Sequence, residues 1–172
     1  IGMDQDSVEK IINEIDDVKI ANYNSPVQYV ISGESTAVNN ACKELESSGA
    51  KRVVPLPVSG AFHSGLMAPA VPKFQEYLSN FTFNVASHPI ILNRSVEPVT
   101  NAKALKENLP LQIQSPVRWI ETIQYLTEKS ESFIEVGPGK VLSGLIKKIN
   151  RELSVKPTSS FESITQLLNK VE

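Results

Sequence analysis

Apolar residues along this chain switch repeatedly between helical and extended spacing, and that alternation limits the fold more than any other feature. Val8, Ile11, Ile12 and Ile15 fall at i, i+3, i+4 and i+7, one face of a helix over about residues 6–16. Asp6, with Glu9 three residues on, predicts its capped start. Val18-Lys19-Ile20-Ala21 reads as a short strand, Asn22-Tyr23-Asn24-Ser25-Pro26 as a turn, and Val27-Gln28-Tyr29-Val30-Ile31 as a second strand closed by Ser32-Gly33. Val38, Ala41, Cys42 and Leu45 form another helical stripe, stopped by Ser47-Ser48-Gly49. Lys51 to Leu56 predicts a strand that ends in prolines.

Residues 1–57 thus read helix, strand, strand, helix, strand. With one strand in front this is the split β-α-β unit of a ferredoxin-like domain, and Ile1 would be the stub of that strand. The pattern changes at residue 58. Pro57 to Gly65 is a loop of small residues, and Leu66 to Ser79 a helix in which Pro69 and Pro72 suit only the first turn. Pro89-Ile90-Ile91-Leu92 predicts a buried strand. Helices are predicted over 102–114 and 118–129, broken at Ser115-Pro116. Ser132 to Val136 predicts a strand running through Gly137-Pro138-Gly139 into a helix with Val141, Leu142, Leu145, Ile146 and Ile149 on one side. A last helix carries Phe161, Ile164, Leu168 and Val171. Strands alternating with helices imply an α/β fold with a mainly parallel sheet.

Composition narrows the function. In 172 residues the net charge is -2, which argues against non-specific nucleic-acid binding over the whole surface. No apolar run is long enough to span a membrane. One cysteine excludes an internal disulfide and a Cys-rich zinc site, and two histidines exclude a three-His zinc site. Residues 1–57 hold nine acids and five bases; residues 58–172 hold ten acids and twelve bases. Lys140, Lys147, Lys148, Arg151 and Lys156 cluster near the end, either as a solvated face or as a landing patch for an acidic partner or phosphate.

His63 is the main candidate for chemistry. It follows a predicted strand in a loop of small residues, where α/β proteins place functional groups, and imidazole can take and return a proton near neutral pH. Position alone leaves open a packing histidine. His88 reads as structural. A basic histidine needs a nucleophile, but no serine here has the G-x-S-x-G elbow. Cys42 lies on an apolar helix stripe and reads as a small core residue. Gly137-Pro138-Gly139-Lys140 reads as a tight strand-to-helix turn. Its alternative is anion binding at a helix N-terminus, although the spacing fits neither a Walker A loop nor G-x-G-x-x-G.

Five segments in order carry a resemblance. They are Asn22 to Pro26 with Gln28 to Gly33; Gly49-Ala50-Lys51-Arg52; Leu56 to Ser64; Gln112 to Trp119; and Glu135 to Leu145. Together they resemble the malonyl-CoA:acyl carrier protein transacylases of fatty-acid synthesis and the related acyltransferase domains of polyketide synthases. The resemblance implies a ferredoxin-like small subdomain over 1–57, its first strand truncated, followed over 58–172 by the C-terminal portion of an α/β-hydrolase-like large subdomain. It implies the second half of such a protein, with the nucleophilic serine in front of Ile1 and this chain inactive alone. His63 matches the family's catalytic histidine, and Gln112 the residue whose backbone carbonyl orients it. Phe62 matches a position that disfavours an α-methyl branch, and Asn24 lies in a segment near the acyl-CoA site. Lys51 and Arg52 match a basic pair that meets the acidic carrier protein. Val27 departs from the glycine common there.

The implied reaction is ping-pong transfer of malonyl from its coenzyme A thioester to the phosphopantetheine thiol of acyl carrier protein. It needs no metal or other cofactor. A cytoplasmic location is expected, an organelle being the alternative. Competing readings are a polyketide-synthase acyltransferase, a thioesterase or other hydrolase on the same scaffold, a non-catalytic interaction module and, weakest, a nucleotide-binding protein.

Overall fold

A computed structural model of the chain describes residues 1–169. The first helix, α1 (Gln5–Asn13), begins where the Asp4 carboxylate accepts the Ser7 N–H at 2.9 Å and the Ser7 hydroxyl at 3.0 Å. The cap is therefore Asp4, not Asp6. A carboxylate one residue before the helix reaches the free amides of the first turn, and Asp6 is already inside it.

Strand β1 (Val18–Ser25) is longer than predicted. It absorbs Asn22-Tyr23-Asn24-Ser25, which was expected to turn, and pairs antiparallel with β2 (Gln28–Gly33) around Pro26-Val27. Cross-strand pairing and a Tyr23–Tyr29 edge-to-face contact at 6.0 Å outweigh the local turn preference of the asparagines. Gly33 closes the hairpin because a Cβ there would lie 2.1 Å from the Asp17 carbonyl oxygen. Helix α2 (Ser35–Ser47) follows, capped by the Glu34 carboxylate. Met3, Val8 and Ile12 of the first segment pack with Val18, Ile20, Ala41 and Leu45 in one buried cluster. Each valine, leucine, isoleucine or methionine side chain removed from water there contributes on the order of 1.5–3 kcal/mol.

Residues 51–56, predicted as a strand, do not form one. Arg52 exchanges hydrogen bonds with Ile1 in both directions, at 2.9 and 3.2 Å. Two bonds make no ladder, and Pro55 removes a donor from the segment.

A 3₁₀ turn (Gly65–Ala70) takes Pro69, so the predicted helix from Leu66 begins as α only at α3 (Val71–Ser79). Strands β3 (Ile90–Ile91) and β4 (Pro98–Val99) form a two-residue antiparallel ladder, and Ile90 is exposed. The expected buried strand is thus the start of a small surface hairpin. Helix α4 (Ala102–Asn108) passes into a 3₁₀ turn (Leu109–Ile113), and α5 (Trp119–Thr127) starts after Pro116.

Residues Ile1–Thr122 form one compact unit and a second begins at Ile123. In the second, β5 (Ser132–Val136) pairs parallel with β6 (Ser154–Thr158) across α6 (Val141–Ile149), and α7 (Phe161–Leu168) follows. Leu145, Ile146 and Leu153 are buried, whereas Val136, Val141 and Phe161 are exposed. Val171 of the predicted last helix lies outside the described residues. Among the described residues this ladder is parallel and the other two are antiparallel, so the expected mainly parallel sheet is corrected. The two short hairpins are antiparallel because a tight connection permits nothing else. The fold is mixed α/β. Among the described residues no helix is long and apolar enough to cross a membrane.

Candidate active site

The loop after residue 57 delivers His63 onto the turn that follows α4. Its backbone N–H donates to the Ile113 carbonyl at 2.8 Å. Its Nδ1 lies 3.0 Å from the Gln112 carbonyl oxygen and 2.9 Å from that of Ser115. A carbonyl oxygen can only accept, so Nδ1 carries the hydrogen and shares it between the two. In the neutral ring Nε2 is then the basic nitrogen. His63 holds φ at 62°, in the left-handed region.

The neighbouring residues fix the loop. Ser64 is buried; its hydroxyl donates to the Ala61 carbonyl at 2.7 Å and accepts the Leu66 N–H at 3.3 Å. Residue 117 joins the turn to β1: Tyr23 N–H donates to the Val117 carbonyl at 3.0 Å, and Val117 N–H to that of Ala21 at 2.8 Å. This junction brings α1 and β1 beside His63 around a cavity of about 350 Å³, lined by Ile12, Lys19, Ile20, Tyr23, His63 and Gln114 among others. Burial first, and then the Glu9 carboxylate, push the Tyr23 hydroxyl above its ordinary pKa, so it stays a neutral donor.

The structure brings His63 and the Gln112 carbonyl together. Phe62 is half exposed, with its ring over Gly60: a Cβ there would lie 2.9 Å from the ring. Asn24 sits half-buried near the end of β1; its neighbour Tyr23 lines the cavity. Lys51 and Arg52 are exposed, and the Lys51 stem crosses Gly2, where a Cβ would meet it at 2.6 Å. The Ser115 carbonyl and Tyr23 are the site groups that sequence reasoning missed, although both residues lie in segments that carry the resemblance. His88 is exposed and pairs with the adjacent Ser87 hydroxyl at 3.0 Å. Burial first, then Glu46, raise the Cys42 thiol's pKa, which suits a packing residue rather than a nucleophile.

The Gly137 turn is filled from within. The Glu135 carboxylate accepts the Leu142 and Ser143 N–H groups at 2.9 and 2.8 Å and the Ser143 hydroxyl as well. The helix N-terminus that could have met an external anion already holds one.

The acyl transferase domain family matches residues 2–169. The malonyl CoA-acyl carrier protein transacylase of Bacillus subtilis (strain 168) is 43% identical over 169 residues, 95% of this chain and 53% of that protein. An acyl-carrier-protein S-malonyltransferase from Burkholderia pseudomallei 1710b superposes with a TM-score of 0.93 at 36% identity, covering 98% of this chain and 56% of that one. A malonyl-transacylase solved in complex with a type II PKS acyl-carrier protein gives a TM-score of 0.94 at 36% identity, covering 99% and 56%. The chain spans about half the length of these relatives. A match that runs through the whole His63 cradle and almost every residue decides the matter: this chain belongs to the acyl transferase domain family.

Proposed function

We propose that the protein to which this chain contributes transfers a malonyl group from malonyl-CoA to the phosphopantetheine thiol of acyl carrier protein. The observation that carries the reading is the double carbonyl anchor on His63 Nδ1, which leaves Nε2 as base, in a chain similar to malonyltransferases. The nucleophile is assigned to a serine outside these 172 residues, because none here stands in a G-x-S-x-G elbow.

His63 Nε2 takes the serine proton as the serine oxygen attacks the thioester carbon. The carbon–sulfur bond then breaks and the proton goes to the departing coenzyme A sulfur. In the second half, Nε2 takes the proton of the carrier thiol, whose sulfur attacks the acyl-serine, and returns it to the serine oxygen. Gln112 and Ser115 hold the ring's tautomer throughout, the part an aspartate plays in the usual triad. Both ends of the reaction are thioesters, so the reading calls for no metal or redox cofactor.

Phe62 is assigned to acyl selectivity and Asn24 to the acyl-CoA side of the site. Lys51 and Arg52, exposed and adjacent, are assigned to carrier-protein docking. The reading keeps residues 1–57 as a ferredoxin-like subdomain and 58–172 as part of an α/β-hydrolase-like one, working in the cytoplasm.

Intact-protein mass spectrometry with malonyl-CoA tests the reading. The 172-residue chain is compared with a form extended by the N-terminal residues that the relatives possess. A malonyl adduct on the extended form alone, discharged by phosphopantetheinylated carrier protein, is expected. In that form His63→Ala should lower transfer by about 10²–10⁴-fold with the fold kept. An adduct on the short chain, or on neither form, overturns the reading.

A further inference from the structure

Two backbone carbonyls hold His63, so whatever fixes those carbonyls fixes the imidazole. Part of the answer is local. The Ser115 hydroxyl donates to the Leu111 carbonyl at 2.8 Å, and Gln114 N–H donates to the same oxygen at 3.3 Å. The turn then meets Pro116, which has no N–H. From this point the chain can be held only through carbonyls and the residues beyond.

Asn93 supplies that hold from outside the turn. Its backbone N–H donates to the Gln112 side-chain oxygen at 3.0 Å. Its side-chain Nδ2 donates to the Pro116 carbonyl at 3.3 Å. Its own carbonyl accepts the Arg118 N–H at 3.2 Å. The three bonds fall on residues 112, 116 and 118 and bracket both carbonyls that face His63. Asn93 is itself placed by the hairpin between β3 and β4. Leu92 is buried, and its carbonyl accepts the Val96 N–H at 3.1 Å where Val96 turns back with φ at 60°.

We propose that Asn93 is a positioning residue for His63, clamping the 112–118 segment so that the Gln112 and Ser115 carbonyls stay on Nδ1. The proposal rests on His63 being the base. It gives the two-stranded β3–β4 hairpin a role: a brace for the general base, about 30 residues away in sequence. Gln112 then acts twice, its carbonyl on the ring and its amide oxygen on the brace.

The test reads the ring rather than turnover. Nitrogen-15 NMR of the imidazole is recorded at alkaline pH in a His88→Gln background, which leaves one histidine. The Nδ1–H tautomer should dominate in the otherwise unsubstituted chain. Asn93→Ala and Gln112→Met, the second of which keeps the backbone carbonyl, should each shift the tautomer ratio toward Nε2–H by about two- to tenfold, the effect of one ordinary hydrogen bond. The double variant should shift it little further, because both substitutions open the same clamp. Asn101→Ala, which removes the α4 cap without touching the clamp, should leave the ratio alone. An unchanged ratio in folded Asn93→Ala or Gln112→Met, or an equal shift in Asn101→Ala, overturns the clamp. A dominant Nε2–H ring in the unsubstituted chain overturns the assignment of His63 as base, and the clamp with it.

Discussion

His63 adopts a left-handed backbone that costs a non-glycine residue about 1–2 kcal/mol. Three interactions with one turn, through its N–H and through Nδ1 to two carbonyls, offset that cost. Phe62, just before it, is half exposed with its ring across Gly60. If that ring limits the acyl group, Phe62→Ser in the extended form should raise methylmalonyl use relative to malonyl by about 10- to 200-fold, the range for a methylene-scale clash. Competition between the two coenzyme A thioesters measures it, and an unchanged ratio removes Phe62 from selectivity. His63 was legible as a candidate because its side chain is chemically distinctive and its loop is unusual. The Ser115 carbonyl was not, since every residue has one and only the turn decides which faces the ring.

Helix α6 shows how one element secures its own start. Gly137 and Gly139 take φ of 135° and 87°, which frees the chain to fold back and lets the Glu135 carboxylate reach the first amides of the helix. Ser143's hydroxyl and amide, then the Leu142 amide, hold that carboxyl below the usual glutamate pKa. The folded value is depressed, so the stabilisation is complete above the unfolded pKa and is lost as pH falls through the folded one. Denaturant titrations should therefore show Glu135→Gln less stable than the parent at neutral pH, with the difference closing in acid. A gap independent of pH would assign the effect to packing instead. Helix α6 was legible because its apolar residues recur on one side, and strand β5 because a short apolar run leads into the Gly137 turn. Strand β6 was not: Ser154 to Thr158 has one valine and a proline, and its extended form comes from parallel pairing with β5. The opposite error, at 51–56, has the same source. Valines there favour extension, but among the described residues the long-range backbone bonds of this segment are the two between Ile1 and Arg52.

Within the first unit the buried cluster under the β1–β2 hairpin ties α1 to α2. Ile12, 1% exposed, is fully enclosed there. Ile12→Ala should cost about 2–5 kcal/mol in urea unfolding; a loss under 1 kcal/mol would mean the site collapses freely around the gap. The same residue lines the cavity beside His63, so a second expected effect is a rearranged cavity wall. On the surface, if Lys51 and Arg52 dock the carrier protein, Lys51→Glu with Arg52→Glu in the extended form should raise KM for carrier protein about tenfold or more at low salt while leaving stability within about 0.5 kcal/mol. The gap from the parent should shrink as ionic strength rises. A KM that ignores both substitutions would place the docking surface elsewhere.

The sequence by itself determined the α1 and α2 stripes, the hairpin between β1 and β2, the strand and helix around the Gly137 turn, and His63 as the residue to watch. Each is a local pattern of polarity, turn chemistry or side-chain type, and such patterns survive without knowledge of what lies opposite. Tertiary structure alone decided that β5 and β6 run parallel, that residues 51–56 form no strand, and that two carbonyls braced by Asn93 face one imidazole nitrogen. Those outcomes depend on hydrogen bonds between segments distant in the chain, and a backbone amide carries no mark of its partner until the chain has folded.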